Sequence, residues 1–133
     1  MLRTGLEWHD SELLAIRQEP WGCLLVVNAV IHKTTGVPGV DPGTVWIQTA
    51  EVRLSNGRPH GLPIGPLDPP LDIWDGSLIT KGQLLDGLVP CPLHSVGSTT
   101  IDLTFNRGDR FVIQADGLTI DLIGEPTYLE EWL

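Results

Sequence analysis

The sequence predicts an all-β, mainly antiparallel domain: a sandwich or flattened barrel of about seven to nine strands, ending in a short helix. Three observations carry this. Apolar residues alternate with period two through the last third of the chain. Fifteen glycines and eleven prolines among 133 residues supply many chain reversals. Hydrophobic residues make up 41% of the chain, enough for one core, and the length suits a single domain over 1–133.

The first element is ambiguous from propensity alone. "SELLAIRQE" (11–19) is built of good helix formers, with Ser11 placed as an N-cap. Yet Leu14 and Ile16 also alternate with Ala15 and Arg17, as in a strand. "CLLVVNAVIHKT" (23–34) reads as a strand: Leu25, Val27, Ala29 and Ile31 make one face, and the other runs from Leu24 to His32. "GVPGVDPG" (36–43) is a loop, and "TVWIQTAEVRL" (44–54) a second strand. "SNGRPHGLPIGPLDPP" (55–70) is too rich in proline for a helix or a central strand and reads as a long loop. "LDIWDGSLIT" (71–80) reads as a strand broken near Asp75-Gly76. Residues 81–96 favour extended chain before Pro90 and Pro92.

The segment 100–122 is the clearest. Ile101, Leu103 and Phe105 share a face, then Phe111, Ile113 and Ala115, then Leu118, Ile120 and Leu122. Asp116-Gly117 reads as a two-residue hairpin turn that sets Ala115 against Leu118 and Ile113 against Ile120. The turn at "NRGD" (106–109) needs an odd loop of three or five residues, setting Phe105 against Phe111. The tail "PTYLEEWL" (126–133) reads as a short helical turn anchored by Tyr128, Leu129 and Trp132.

Charge is uneven. From Gly61 onward there are eleven acids against Lys81, Arg107 and Arg110, and most of the net charge of −9 falls there. Such a surface repels phosphate backbones and speaks against nucleic acid, while suiting a basic protein partner. "MLRTGLEWHDSELL" lacks the apolar stretch of a signal peptide, and no run approaches the roughly 20 residues of a membrane span. Cytoplasmic location with Cys23 and Cys91 reduced is the expectation.

His9, Asp10 and Ser11 name the residue types of a hydrolase triad. Adjacent side chains diverge in either a strand or a helix, so the three cannot converge as one. Ser11 also lacks a Gly-x-Ser-x-Gly elbow. Asp10 or Ser11 is expected to tie the backbone, with His9 and Asp10 as candidate binding residues. Cys91-Pro-Leu-His94 is half of a metal site, and no second pair completes it, so neither metal nor cofactor is expected. Asp68, Asp72 and Asp75 with Trp74 form an acidic group carrying an aromatic anchor, a second candidate binding face.

Trp8-His9-Asp10-Ser11-Glu12-Leu13, the strand pair around Asp116-Gly117 and Glu130-Glu131-Trp132 together resemble small bacterial β-domain proteins with an N-terminal His-Asp-Ser motif. Some of these are immunity proteins that neutralise polymorphic toxins. The resemblance implies that the opening stretch is a strand and that the protein binds a partner rather than catalysing a reaction. Two other readings stay open: a small-molecule-binding barrel or small enzyme using His9 and Asp10, and a homo-oligomer associating through Leu24, Val26 and Val30.

Overall fold

The computed structural model describes residues 2–59 and 64–133. It contains eight strands: β1 (Arg3–Glu19), β2 (Gly22–Thr34), β3 (Gly43–Ser55), β4 (Gly65–Thr80), β5 (Gln83–Asp86), β6 (Leu88–Pro90), β7 (Leu93–Phe105) and β8 (Arg110–Trp132). All of the pairings are antiparallel and belong to one sheet. The two-sheet sandwich alternative is therefore replaced by a single sheet. β1 pairs with both β2 and β4, so the order β1-β2-β3-β8-β7-β4 returns to β1 as a closed ring. Closure satisfies edges that an open sheet would leave bare.

The core lies inside this ring. Leu25, Val27, Ala29 and Ile31 of β2 are fully buried, as the alternation predicts. Ile101, Leu103, Phe105, Phe111, Ile113 and Ile120 fill it from β7 and β8, and Trp8 and Leu13 from β1. The β1–β2–β3 meander matches the predicted strands closely, and the opening stretch is a strand.

Five expectations are corrected. First, Asp116-Gly117 is not a turn; β8 runs straight through it. Its first half pairs with β7 (Ile113 against Ile101), its second half with β3 (Ile120 against Val52). A reversal there would separate two strands that need a common neighbour. The apolar phase still changes, from Phe111, Ile113 and Ala115 to Leu118 and Ile120, all buried. The change is absorbed by an irregularity, where β7 advances from Val96 to Thr99 while β8 advances from Gly117 only to Ala115. Gly117 is crowded: an added Cβ would lie 3.3 Å from the Ser95 carbonyl oxygen.

Second, the C-terminal helix is absent, and the tail is strand up to Trp132. Thr127, Tyr128, Glu130 and Glu131 pair with Ile47, Trp46, Val45 and Thr44. Tyr128 meets Trp46 edge-on, with centroids 5.3 Å apart. A lone helical turn would gain little and leave that half of β3 without a neighbour. Third, residues 65–70 are strand rather than loop, and β4 is unbroken at Asp75-Gly76. β4 holds its prolines where the ladder allows them. Between the pairs Leu13–Leu71 and Ala15–Pro66, residues 67–70 bulge out, so Pro69 and Pro70 displace no ladder bond. The part of the expected loop covering 60–63 lies outside the described residues.

Fourth, the β7–β8 register is two residues from the expected one: Leu103 opposes Phe111 and Ile101 opposes Ile113. The loop is nonetheless three residues long, 106–108, with Phe105 N–H donating to the Asp109 carbonyl. Gly108, at φ 90°, takes the left-handed position. A shift of two keeps every side chain on its face, which is why the apolar pattern alone could not choose between the registers. Fifth, Leu24 and Val30, expected on an exposed self-association face, are buried.

Candidate functional site

The site is built where the ring comes apart. β1 pairs with β4 only through Glu12–Ile16, and its earlier residues Gly5–Glu7 pair with β6 instead. β4 in turn pairs with β5 through Ser77–Thr80. The β1–β4 seam therefore forks, and the short β5–β6 segment occupies the opening.

Each strand carries a bulge at the fork. In β1, Glu7 opposes Val30 and Glu12 opposes Asn28, so Trp8-His9-Asp10-Ser11 all stand opposite the single residue Ala29. Trp8 turns into the core and His9 and Asp10 turn out, while Ser11 returns inward and is fully buried. Asp10 takes φ 69°, a left-handed conformation that Asp tolerates better than most residues. The Ser11 hydroxyl closes the bulge. It donates to the Glu7 carbonyl and accepts the Val30 N–H at 2.9 Å. The expected backbone tie is thus Ser11, acting inside a strand rather than at the start of one. Both bonds are to backbone, so this hydroxyl is committed to structure.

In β4, Ile73 opposes Phe105 and Asp75 opposes Thr104, which leaves Trp74 bulged. The Trp74 ring is exposed, and its carbonyl accepts a hydrogen bond from His9 Nδ1. This bond is the main reason the His9 pKa is raised above its ordinary value; burial opposes the rise, and the carboxylates of Asp10, Glu7 and Asp75 add to it. His9 Nε2 lies 3.5 Å from Asp10 Oδ1. Next along β4, Gly76 is required by contact: an added Cβ would lie 2.6 Å from Trp8 Cγ.

Beside the two bulges lies an open cleft of about 540 Å³. Glu7, His9 and Asp75 line it, with His32 at one side and Trp132 from the end of β8. The 35–42 loop and Leu88 form the opposite wall. That loop is held in place: Thr34 Oγ1 donates to the Pro42 carbonyl, Asp41 accepts the Val37 N–H, and Gly39 packs so tightly on Leu88 that a Cβ would meet it at 2.7 Å. The wall is thus preformed. Among the described residues, no lysine or arginine lines the cleft.

His32 is 4% exposed and Trp132 meets it edge-on at 5.1 Å. His32 Nε2 lies 3.4 Å from Glu7 Oε2. Among the described residues, two buried side-chain polar atoms have no partner, Trp8 Nε1 and His32 Nδ1, and both belong to side chains that line this cleft. Unsatisfied buried polar atoms are uncommon in folded proteins.

The predicted binding residues therefore separate. His9 and Asp75 line the cleft, Asp10 is beside His9 but does not line it, and Trp74 supplies the carbonyl between the bulges and lines a neighbouring groove with His9, Asp75 and Thr104. Asp68 and Asp72 are elsewhere, in a second groove with Glu12 and Arg107, where Asp72 accepts from Asn106. Glu7, His32 and Trp132 were missed. Each belongs to a different strand, and the β1–β2, β2–β3 and β3–β8 ladders bring them together.

The remaining candidates take ordinary structural places. Cys91 is buried with its thiol on the Val89 carbonyl, whereas His94 is exposed and bonded to Thr119. Burial pushes the Cys23 thiol up to about 11 and the Cys91 thiol up to about 12, so both stay protonated and weakly nucleophilic near neutrality. Among the described residues, no three metal-ligating side chains converge, and no helix is long and apolar enough to cross a membrane. Comparison with family models, curated proteins and solved structures finds no match.

Proposed function

We propose that this is a non-enzymatic binding protein, immunity-like in action, that takes a basic protein partner on its acidic surface and seats a lysine or arginine side chain of that partner in the seam cleft. One observation carries the reading: Glu7 and Asp75 line an aromatic-walled cleft that, among the described residues, holds no lysine or arginine of its own. A cation entering there meets two carboxylates and the Trp132 ring, which suit charge-assisted bonds and a cation–π contact. Exposed Trp74 and Val40 close by supply apolar anchors of the kind that dominate protein interfaces. The resemblance in Trp8–Leu13 and Glu130–Trp132 supports the same reading, with the cytoplasm as its expected setting.

The test is capture from lysate by the tagged protein, with and without the paired changes Glu7→Gln and Asp75→Asn. A basic protein retained at low salt, lost at high salt and lost with the paired variant supports the reading. Absence of any stoichiometric partner at micromolar concentration overturns it. A second reading, a small-molecule site in the same cleft, is favoured by the unpartnered Trp8 Nε1 and His32 Nδ1. It requires a ligand that offers an acceptor to the indole N–H, and a bound metabolite in mass spectra of the native protein would favour it.

A further inference from the structure

β8 is longer than one of its neighbours allows. β7 pairs with it only from Arg110 to Ile120, whereas β3 follows it from Gly117 to Trp132. From Asp121 onward β8 therefore has a ladder on one side only, and among the described residues no strand pairs with its other edge. Backbone N–H and C=O groups along such an edge are free to template another strand.

This edge has a definite charge and a definite end. Glu125, Glu130 and Glu131 are exposed along it, with Leu129 exposed between them. Two irregularities interrupt it, one opposite Gln48 that contains Gly124 at φ 72° and Pro126, and one at Leu129 between the Tyr128–Trp46 and Glu130–Val45 pairs; Thr127–Trp132, with its regular end at Glu130–Trp132, is the stretch beyond the first. A second copy paired antiparallel would set these glutamates against one another, which is unfavourable. A basic strand would set cations against them. The edge finishes at Trp132, which lines the seam cleft.

We propose that the partner docks by strand addition: an extended segment with alternating lysine or arginine pairs with the free edge of β8 at Thr127–Trp132 and runs on towards the cleft. The proposal rests on the basic-partner reading above and adds to it the partner's conformation. A cationic side chain alone needs only the cleft, whereas strand addition also needs the partner's backbone amides. The mode is main-chain recognition, in which ladder bonds give affinity and side chains give choice.

A synthetic heptapeptide alternating lysine with threonine and valine is the probe, titrated into the isotopically labelled full chain. Two further peptides carry N-methyl groups on the odd or on the even backbone amides, which removes ladder donors without altering charge. Strand addition predicts that one methylated set loses affinity at least about tenfold while the other binds as the parent does, since alternate amides face β8. Amides of 127–131 should also exchange more slowly with the parent peptide bound. Equal binding of both methylated sets, or no binding of the parent at millimolar concentration, overturns the proposal. If methylation matters but Glu7→Gln with Asp75→Asn leaves peptide affinity unchanged, strand addition stands and the cleft reading fails.

Discussion

Two short stretches carry the same kind of signal and do different things. Trp8–Ser11 and Asp116-Gly117 both join polar, turn-favouring residues to apolar runs, and both shift the phase of the inward-facing residues. At Trp8–Ser11 the shift takes four residues opposite one, and it pushes His9 and Asp10 out of the sheet. At Asp116-Gly117 it takes a slight irregularity, and the strand continues. The difference lies in the neighbours. β1 has β2 on one side and a parting seam on the other, so its extra residues have somewhere to go. β8 at Gly117 pairs with both β7 and β3 and must keep to both. A turn signal permits a reversal; the surrounding ladders decide whether the chain uses it.

The largest break in this comparison comes from the residue that anchors the β1 bulge. Trp8→Ala removes a 1%-exposed indole from the core. It is expected to cost about 3–5 kcal/mol, the usual range for a buried large aromatic, read as a fall in the urea midpoint. Gly76→Ala attacks the same packing from β4, where the new methyl meets Trp8 at 2.6 Å, and about 1–3 kcal/mol is expected from overpacking.

Ser11→Ala tests the closure itself. It leaves the Val30 N–H buried without its acceptor, and a loss of about 1–3 kcal/mol in the same denaturation is expected. Asp116→Ala is the counterpart at the straight stretch. Among the described residues its one side-chain bond is an exposed one from Asn56 Nδ2, so a change within about 0.5 kcal/mol is expected. Were residues 116 and 117 a hairpin turn after all, Gly117→Ala would cost more than about 1 kcal/mol through its positive φ. Gly117 does not take that conformation, and a smaller effect from the crowding at the Ser95 carbonyl is expected.

The smallest effect is electrostatic. The His9 imidazole should titrate above 6.5 in a histidine NMR titration, because its protonated form keeps the bond to the Trp74 carbonyl and is favoured by nearby carboxylates. Asp10→Asn should bring the midpoint down part of the way. Since the folded value is raised, the small stabilisation this gives is fully present below the unfolded pKa and is lost as pH rises through the folded one. Cation binding in the cleft should run the other way and strengthen as His9 loses its charge.

What the sequence made legible was local. The β2 and β3 strands, the inward faces of Leu25–Ile31 and Ile101–Phe105, and the three-residue loop before β8 all follow from alternation and turn chemistry within a few residues. The start of β4 at Gly65 was illegible because proline is tolerated only at a strand's start or edge or in a bulge: Pro66 stands second in the strand opposite Ala15, and Pro69 and Pro70 lie in a bulge that exists only against β1. The tail read as helix because its value as strand depends on Trp46 and Val45, far away in sequence. The site follows the same division. His9 and Asp10 stood out as an unusual pair within one strand, and Asp75 within another. Glu7, His32 and Trp132 each look ordinary in their own strand: an acid at an exposed position, a polar end to a strand face, an aromatic in the tail. Their meeting depends on β8 adding to β3, a pairing between segments far apart in sequence.

Ring closure also governs the order in which the molecule can be made. β3 lies beside β2 at once, yet its second neighbour is β8, and β1 waits for β4 before Glu12 can meet Asp72. During synthesis the β1 edge of the β1–β2–β3 meander stays unpaired until β4 is made, and the β3 edge until β8 is made. Such non-local topologies are slow to complete, on the order of milliseconds to seconds, and are exposed to wrong pairing meanwhile. Until β4 arrives, the bulge that turns His9 and Asp10 out of the sheet makes the β1 edge an irregular template for any other strand.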